Sequence, residues 1–249
     1  MLLSIKDGSV YLPNQNDSLE ILKDINIEIN RNKFISIIGH SGCGKTTLLR
    51  VLAGLQNLTY GKINIENNLV TIGWVPQTPT LLPNKNLLDN ITFPLVIKGS
   101  HQKLYALELI KKYGLNNFVD YYPNKLSGGM KQKASIIRAL VNKPELLLMD
   151  EPFASIDLYS REILNIDLAN KLRSEKVTTV LVTHSIEEAV FLSDEILIMK
   201  PKIPSTIVSK LRIILPNKRN KQLKNNKKYT KYVAELREIL FSLSSNYYD

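Results

Sequence analysis

Leu126-Ser127-Gly128-Gly129-Met130-Lys131-Gln132-Lys133 is the stretch on which the reading of this chain turns. Its small residues Ser127, Gly128 and Gly129 open a run of helix formers that continues to Val141, with Pro144 just beyond. Ser127 is therefore read as the N-cap of a helix over 127–141. Small residues at a helix start make an anion-binding N-terminus. The run lies between a Gly-rich loop, Gly39-His40-Ser41-Gly42-Cys43-Gly44-Lys45-Thr46-Thr47, and an apolar strand running into Asp-Glu, Leu146-Leu147-Leu148-Met149-Asp150-Glu151.

Working outward, Phe34-Ile35-Ser36-Ile37-Ile38 is a short β-branched run that reads as a buried strand ending at the Gly-rich loop. Helix formers over 46–55, ending at Gly54, complete a strand–loop–helix unit. Residues 20–28 alternate around Ile21, Ile25 and Ile27 as an antiparallel strand does. Further buried strands are expected over 145–149 and 177–183, with a helix starting near Ser185. Strands alternating with helices imply α/β architecture with a mostly parallel sheet. Between 79 and 125 the pattern is helical and loop-like, which suits an inserted helical subdomain of about 79–140. No internal repeat is visible, so one domain over 1–249 is expected rather than a tandem pair.

The spacing Gly39-x4-Gly44-Lys45-Thr46 matches the phosphate-binding P-loop. Glycines let the backbone curl so that successive N–H groups point at phosphates, and the following helix adds its N-terminal partial charge. Lys45 would reach the β- and γ-phosphates of ATP, with the Thr46 hydroxyl on Mg²⁺. Cys43 is read as a small filler whose thiol the nearby lysine and helix N-terminus would acidify and make sensitive to alkylation. Asp150, at the carboxyl end of an apolar strand, would hold the hydrated Mg²⁺, and Glu151 would act as general base on the attacking water.

Together and in this order the three motifs resemble the ATP-binding subunit of an ABC transporter, over residues 2–215. The resemblance implies a P-loop ATPase core with an antiparallel β subdomain and the inserted helical subdomain. It makes His184 the switch histidine that contacts the γ-phosphate. It makes Gln77 the glutamine that touches Mg²⁺ and water and senses the membrane subunit. For the aromatic that stacks on adenine it points to Tyr11, which reads equally as a packed tyrosine. Ser127, Gly128 and Gly129 would bind the γ-phosphate of ATP held by the opposite subunit. Asp157, in Ser155-Ile156-Asp157-Leu158, would link the two sites. Each chain then carries two half-sites, and two ATP molecules bridge a head-to-tail homodimer.

Finer resemblance points to the nitrate, sulfonate, taurine and pyrimidine-precursor importers. It rests on Pro79-Thr80-Leu81-Leu82-Pro83, Leu88-Asp89-Asn90 before Pro94, Met130-Lys131-Gln132, Glu151-Pro152-Phe153 and His184-Ser185-Ile186-Glu187-Glu188-Ala189. Asn84, Lys85 and Lys133 depart from that group's usual residues. The implied partners are a separate transmembrane permease and, through it, an extracytoplasmic solute-binding protein. The implied location is peripheral, on the cytoplasmic face of the cell membrane. Two other classes stay open: the ATPase of an exporter, lipid or cell-division system, and a soluble ABC protein acting on ribosomes or DNA.

Composition sets limits on these classes. The chain has 249 residues, 44% of them apolar, enough for a substantial core. It has no apolar run of 18 residues to span a bilayer. No secretory signal is apparent at the N-terminus, and a single cysteine fits a reducing compartment. The net charge of +10 invites a nucleic-acid partner, but residues 200–231 hold 11 Lys and Arg and no acidic residue, leaving 22 basic against 23 acidic elsewhere. No nucleic acid is therefore expected. The basic segment over 200–249 reads either as a solvated face or as a surface for anionic lipid, ending in an amphipathic helix over 232–243.

Overall fold

The computed structural model describes residues 1–14, 17–66, 70–100, 102–154 and 156–245, so Ser155 and the last residues of the basic segment lie outside it. In chain order the strands are β1 (Leu3–Asn14), β2 (Asp17–Ile29), β3 (Phe34–Ile38), β4 (Tyr60–Ile65), β5 (Ile72–Val75), β6 (Leu146–Asp150), β7 (Thr178–Val182), β8 (Glu195–Met199) and β9 (Ile207–Arg212). The helices are α1 (Lys45–Leu52), α2 (Leu87–Ile97), α3 (Lys103–Lys112), α4 (Gly128–Leu140), α5 (Leu158–Ser174), α6 (Ile186–Leu192) and α7 (Lys227–Ser245). The fold is α/β, and it divides into two units: Met1–Val70 with Asn165–Asp249, and Thr71–Leu164.

In the first unit, β3 is buried along its whole length and pairs in parallel with β7 on one side and β8 on the other. A strand covered on both faces needs a continuous apolar run, which its sequence supplies. Its one polar side chain, Ser36, is satisfied by a 2.6 Å hydrogen bond to Ser193. Strand β9 closes the edge beyond β8 in the antiparallel sense. A separate antiparallel sheet has the order β2-β1-β4.

The alternation expected along β2 is broken. The register of β1 on β2 shifts between the Gly8↔Ile25 and Val10↔Leu22 pairs, and Asp24 sits at φ 50°. A bulge of this kind reverses which side chains face inward. Leu22 is accordingly fully buried, while Ile21, expected in the core, is only half-buried.

In the second unit, β5 and β6 pair in parallel, from Ile72↔Leu146 to Val75↔Met149. Helices α2 and α3 both pack on α4. Ser127 caps α4 as expected, its hydroxyl accepting from the Met130 amide at 3.3 Å.

The terminal helix is longer than the one expected over 232–243 and packs on the first unit. Tyr229 and Leu236 are buried, and the Tyr229 ring meets Phe191 of α6 edge-on at 6.5 Å. Nor is the basic segment simply a solvated face. Arg219 is 1% exposed, donates to the Pro216 and Ser193 carbonyls, and exchanges backbone hydrogen bonds with the Asn170 amide. Burial, with the neighbouring Arg173 charge adding to it against Asp194, brings its guanidinium down to about 10.

Because Ile37 is fully buried in β3 between two parallel neighbours, Ile37→Ala is expected to cost about 2–5 kcal/mol. Denaturant unfolding checks this, with a lowered midpoint at unchanged slope.

Candidate nucleotide site

The first unit presents the Gly-rich loop at the carboxyl end of β3, where ligands bind in parallel α/β sheets. Gly44 turns the chain into α1 at φ +95°, and a Cβ there would lie 2.9 Å from the Leu22 side chain. Having no side chain, Gly44 cannot cap the helix, and α1 has no acidic residue in its first turn. The helix N-terminus is therefore left as a positive pole facing the loop.

Lys45 is buried, 6% exposed, and its ammonium donates to the Gly39 carbonyl at 2.9 Å and the His40 carbonyl at 2.8 Å. A buried cation needs such oxygens. Thr46 and Thr47 follow in the first turn of α1, and Ser41 and Gly42 form the loop's outer bend. Cys43 is completely buried. The expectation that its thiol is acidified is overturned: burial pushes the Cys43 thiol up, outweighing the lowering effects of the Lys45 charge and nearby backbone amides.

His184 is exposed on the turn between β7 and α6. Its neighbours fix that turn. The Thr183 hydroxyl donates to Glu188 at 2.8 Å and accepts from the Ser185 amide, while Ser185 caps α6 by accepting from the Glu188 amide at 3.2 Å. The fold thereby brings His184 beside Gly39, His40 and Ser41, around a cavity of about 400 Å³. The last turn of α7 closes one side of that cavity through Leu240 and Ser244, and Ser244 shares a 2.7 Å hydrogen bond with His40 Nε2. Tyr11, by contrast, is half-exposed in β1 and meets Tyr60 edge-on at 5.8 Å. Its phenol is raised, mainly by the hydrogen-bonded Glu20 carboxylate.

The second unit carries the acidic pair. Asp150 closes β6 and is 5% exposed. Glu151 follows at φ 42°, a left-handed conformation that costs a residue with a Cβ strain and recurs at functional sites. Since Val75 pairs with Met149, Gln77 and Glu151 emerge side by side, and the Gln77 amide donates to Glu151 Oε2 at 3.3 Å. Gly128 and Gly129 open α4, and Gly129 has open space where a Cβ would stand. Asp157 caps α5, accepting from the Ser160 amide at 2.9 Å, which holds its carboxyl below the usual range.

Three residues without an assigned role turn out to shape this half of the site. Asn90, fully buried, accepts from the Leu82 amide and donates to the carbonyls of Leu82, Lys85 and Asn86. Gln132 and Arg138, both on α4, donate to Pro76 and Thr80 respectively. One signal was available in sequence: Gln132 stands on the apolar stripe it shares with Ile136 and Leu140. Lys85, one of the departures from the importer group, sits over the Phe93 ring at 5.5 Å.

Against known proteins, the family described as ABC transporter matches residues 22–154. The chain is 40% identical over 235 residues to an uncharacterized ABC transporter ATP-binding protein of Methanocaldococcus jannaschii, covering 90% of this chain and 88% of the relative. It is 35% identical over 240 residues to the aliphatic sulfonates import ATP-binding protein SsuB of Bacillus cereus, covering 94% of this chain and 95% of the relative. Among solved structures it resembles the dimeric post-hydrolysis state of an ATP-binding cassette bound to ADP and Pi, with TM-score 0.76 and 30% identity over 86% of this chain and 100% of that one.

The buried thiol sets a clear expectation for labelling. Cys43 in the folded chain should resist iodoacetamide and react readily once the chain is unfolded, as followed by mass spectrometry.

Proposed function

The chain belongs to the ABC transporter ATP-binding family, and from that premise we propose that it energises uptake of a small solute through a separate membrane permease. The observation that carries the catalytic half of this reading is the Gln77–Glu151 hydrogen bond at the ends of paired strands, beside the buried Asp150. It is the arrangement expected of a general base held next to a residue that orients water.

In this reading Lys45 exchanges the Gly39 and His40 carbonyls for the β- and γ-phosphate oxygens of ATP, and the amides of residues 39–47 surround the phosphates. Thr46, Gln77 and Asp150 are the proposed Mg²⁺ donors. They are hard oxygen ligands, and no cluster of three or more His, Cys, Asp or Glu residues stands ready for a metal among the described residues. That donor set suits Mg²⁺, which takes few protein oxygens and completes its shell with phosphate and water. When bound, Mg²⁺ would neutralise charge developing on the phosphates. Glu151 takes the proton from the attacking water, and His184 contacts the γ-phosphate. Tyr11 is the proposed adenine-facing ring.

Ser127, Gly128 and Gly129 complete the site of a second copy in a head-to-tail homodimer, with Asp157 linking the two sites. Leu158 and Tyr159, just after Asp157, are 75% and 67% exposed, as side chains awaiting an interface are. Val96, Ile97 and Leu104, similarly exposed on α2 and α3, suit a permease contact beside the loop over 79–94. No helix among the described residues is long and apolar enough to cross a membrane, which agrees with a peripheral subunit on the cytoplasmic face. The whole chain acts as one ATP-binding domain, with its helical subdomain at about 79–140 and its basic segment at about 200–249. Similarity to a sulfonate importer subunit, together with the motif resemblance, supports the nitrate, sulfonate, taurine and pyrimidine-precursor class of cargo. An extracytoplasmic solute-binding protein would deliver that cargo.

Glu151→Gln is expected to keep ATP binding and to lower phosphate release by about 10²–10⁴-fold. Full turnover in that variant would remove Glu151 from the mechanism. For the transport assignment, the chain should retain a polytopic membrane protein when purified from gently solubilised native membranes through a high-salt wash. Recovery of ribosomes or nucleic acid in its place would refute the importer reading.

A further inference from the structure

Two side chains of α4 direct their polar ends at one short loop. Gln132 is 0% exposed, its Nε2 donates to the Pro76 carbonyl at 3.3 Å, and its Oε1 has no hydrogen-bond partner. Arg138 donates through one terminal nitrogen to the Thr80 carbonyl at 2.7 Å and through the other to the Thr80 hydroxyl at 3.0 Å. These bonds fasten the chain on both sides of Gln77, whose own amide reaches Glu151 Oε2. On the far side, Asn90 of α2 holds the stretch from Leu82 to Asn86. The loop therefore has little freedom to move apart from the helices that grip it, and α4 is the helix that opens with Ser127-Gly128-Gly129.

Core stability does not explain Gln132. It occupies the stripe of α4 that also carries the fully buried Ile136 and the 1% exposed Leu140. A buried amide with an unpaired oxygen is less favourable there than an apolar side chain of similar volume. A residue that lowers stability in a well-packed helix is accounted for if its one hydrogen bond serves the loop.

We propose that Gln132 and Arg138 are positioning residues for hydrolysis, tying the Pro76–Thr80 loop to α4 so that Gln77 is set against Glu151 according to the position of the helix that begins with Ser127-Gly128-Gly129. This rests on the reading of Gln77 and Glu151 given above. It assigns to α4 two tasks at once. Its N-terminus meets the partner's nucleotide, and its side chains carry that engagement to the water-orienting glutamine of its own subunit. Such coupling needs a mechanical link with defined arrangements, which hydrogen bonds to a backbone loop provide.

The test uses the full chain and a double-mutant cycle on ATP turnover. Gln132→Met is expected to melt at the same temperature as the parent or higher, yet to lose about tenfold in kcat with the KM for ATP unchanged. Arg138→Lys keeps the charge but loses the two-pronged grip on Thr80, and the same loss of kcat is expected. In a Gln77→Ala background neither substitution should slow turnover further, because residues acting through Gln77 have nothing left to position. Full turnover in both single variants would overturn the proposal, as would losses that multiply with Gln77→Ala. A Gln132→Met protein that melts well below the parent would mark a packing residue and also overturn it. Gln77→Ala with undiminished turnover would instead remove Gln77 from the site, and the proposed positioning would fall with it.

Discussion

A buried ammonium group needs oxygen partners, and meeting that need for Lys45 organises the phosphate loop. The Gly39 and His40 carbonyls can both turn onto one Nζ only if the intervening chain curls tightly. The curl in turn requires Gly44 at φ +95° and a side chain as small as Cys43 filling the inside. Gly39 is equally constrained, since a Cβ there would lie 2.9 Å from the Cys43 sulfur. Strand β3, buried and paired on both sides, is the rigid platform that delivers this loop. The same carbonyls hold the lysine in a pose that incoming phosphate oxygens can take over, so the cation is already desolvated and aimed.

The second unit solves a different problem, which is how to aim two side chains from loops. Parallel pairing of β5 with β6 brings Gln77 and Glu151 out at the same level. The left-handed conformation of Glu151 then turns it away from the strand direction set by Asp150. Polar anchors buried among apolar helices stiffen the segment between β5 and α2: Asn90 uses both ends of its amide, and Gln132 and Arg138 reach across from α4. Each anchor lowers the freedom of a loop whose backbone would otherwise be open to solvent.

Much of this was legible because the relevant signals are short-range. The phosphate loop, the Ser127 cap, the apolar runs of β3 and β6 and the turn at His184 depend on residues a few positions apart. Cap, turn and strand chemistry act over that distance. Other features were not legible because they depend on contacts far apart in sequence. Ile21 and Leu22 exchanged places through a bulge against β1. The Cys43 thiol is raised because tertiary packing buries it, which no local charge could foretell. Arg219 reads as one more charge in a basic run, yet it is enclosed by Ser193, Pro216 and Asn170.

By itself, then, the sequence determined the chemistry: a phosphate-cradling loop with its lysine, an acidic pair at a strand end, a small-residue helix start and the family to which their order belongs. Those properties reside in residue type and local spacing, which survive without knowledge of the fold. Tertiary structure alone decided the neighbours. It set His184 and the end of α7 around the same loop, joined Gln77 to Glu151, and turned Gln132 and Arg138 toward one backbone segment. Burial and hydrogen bonding between distant residues are properties of the packed chain, and they exist only once the strands and helices have closed on one another.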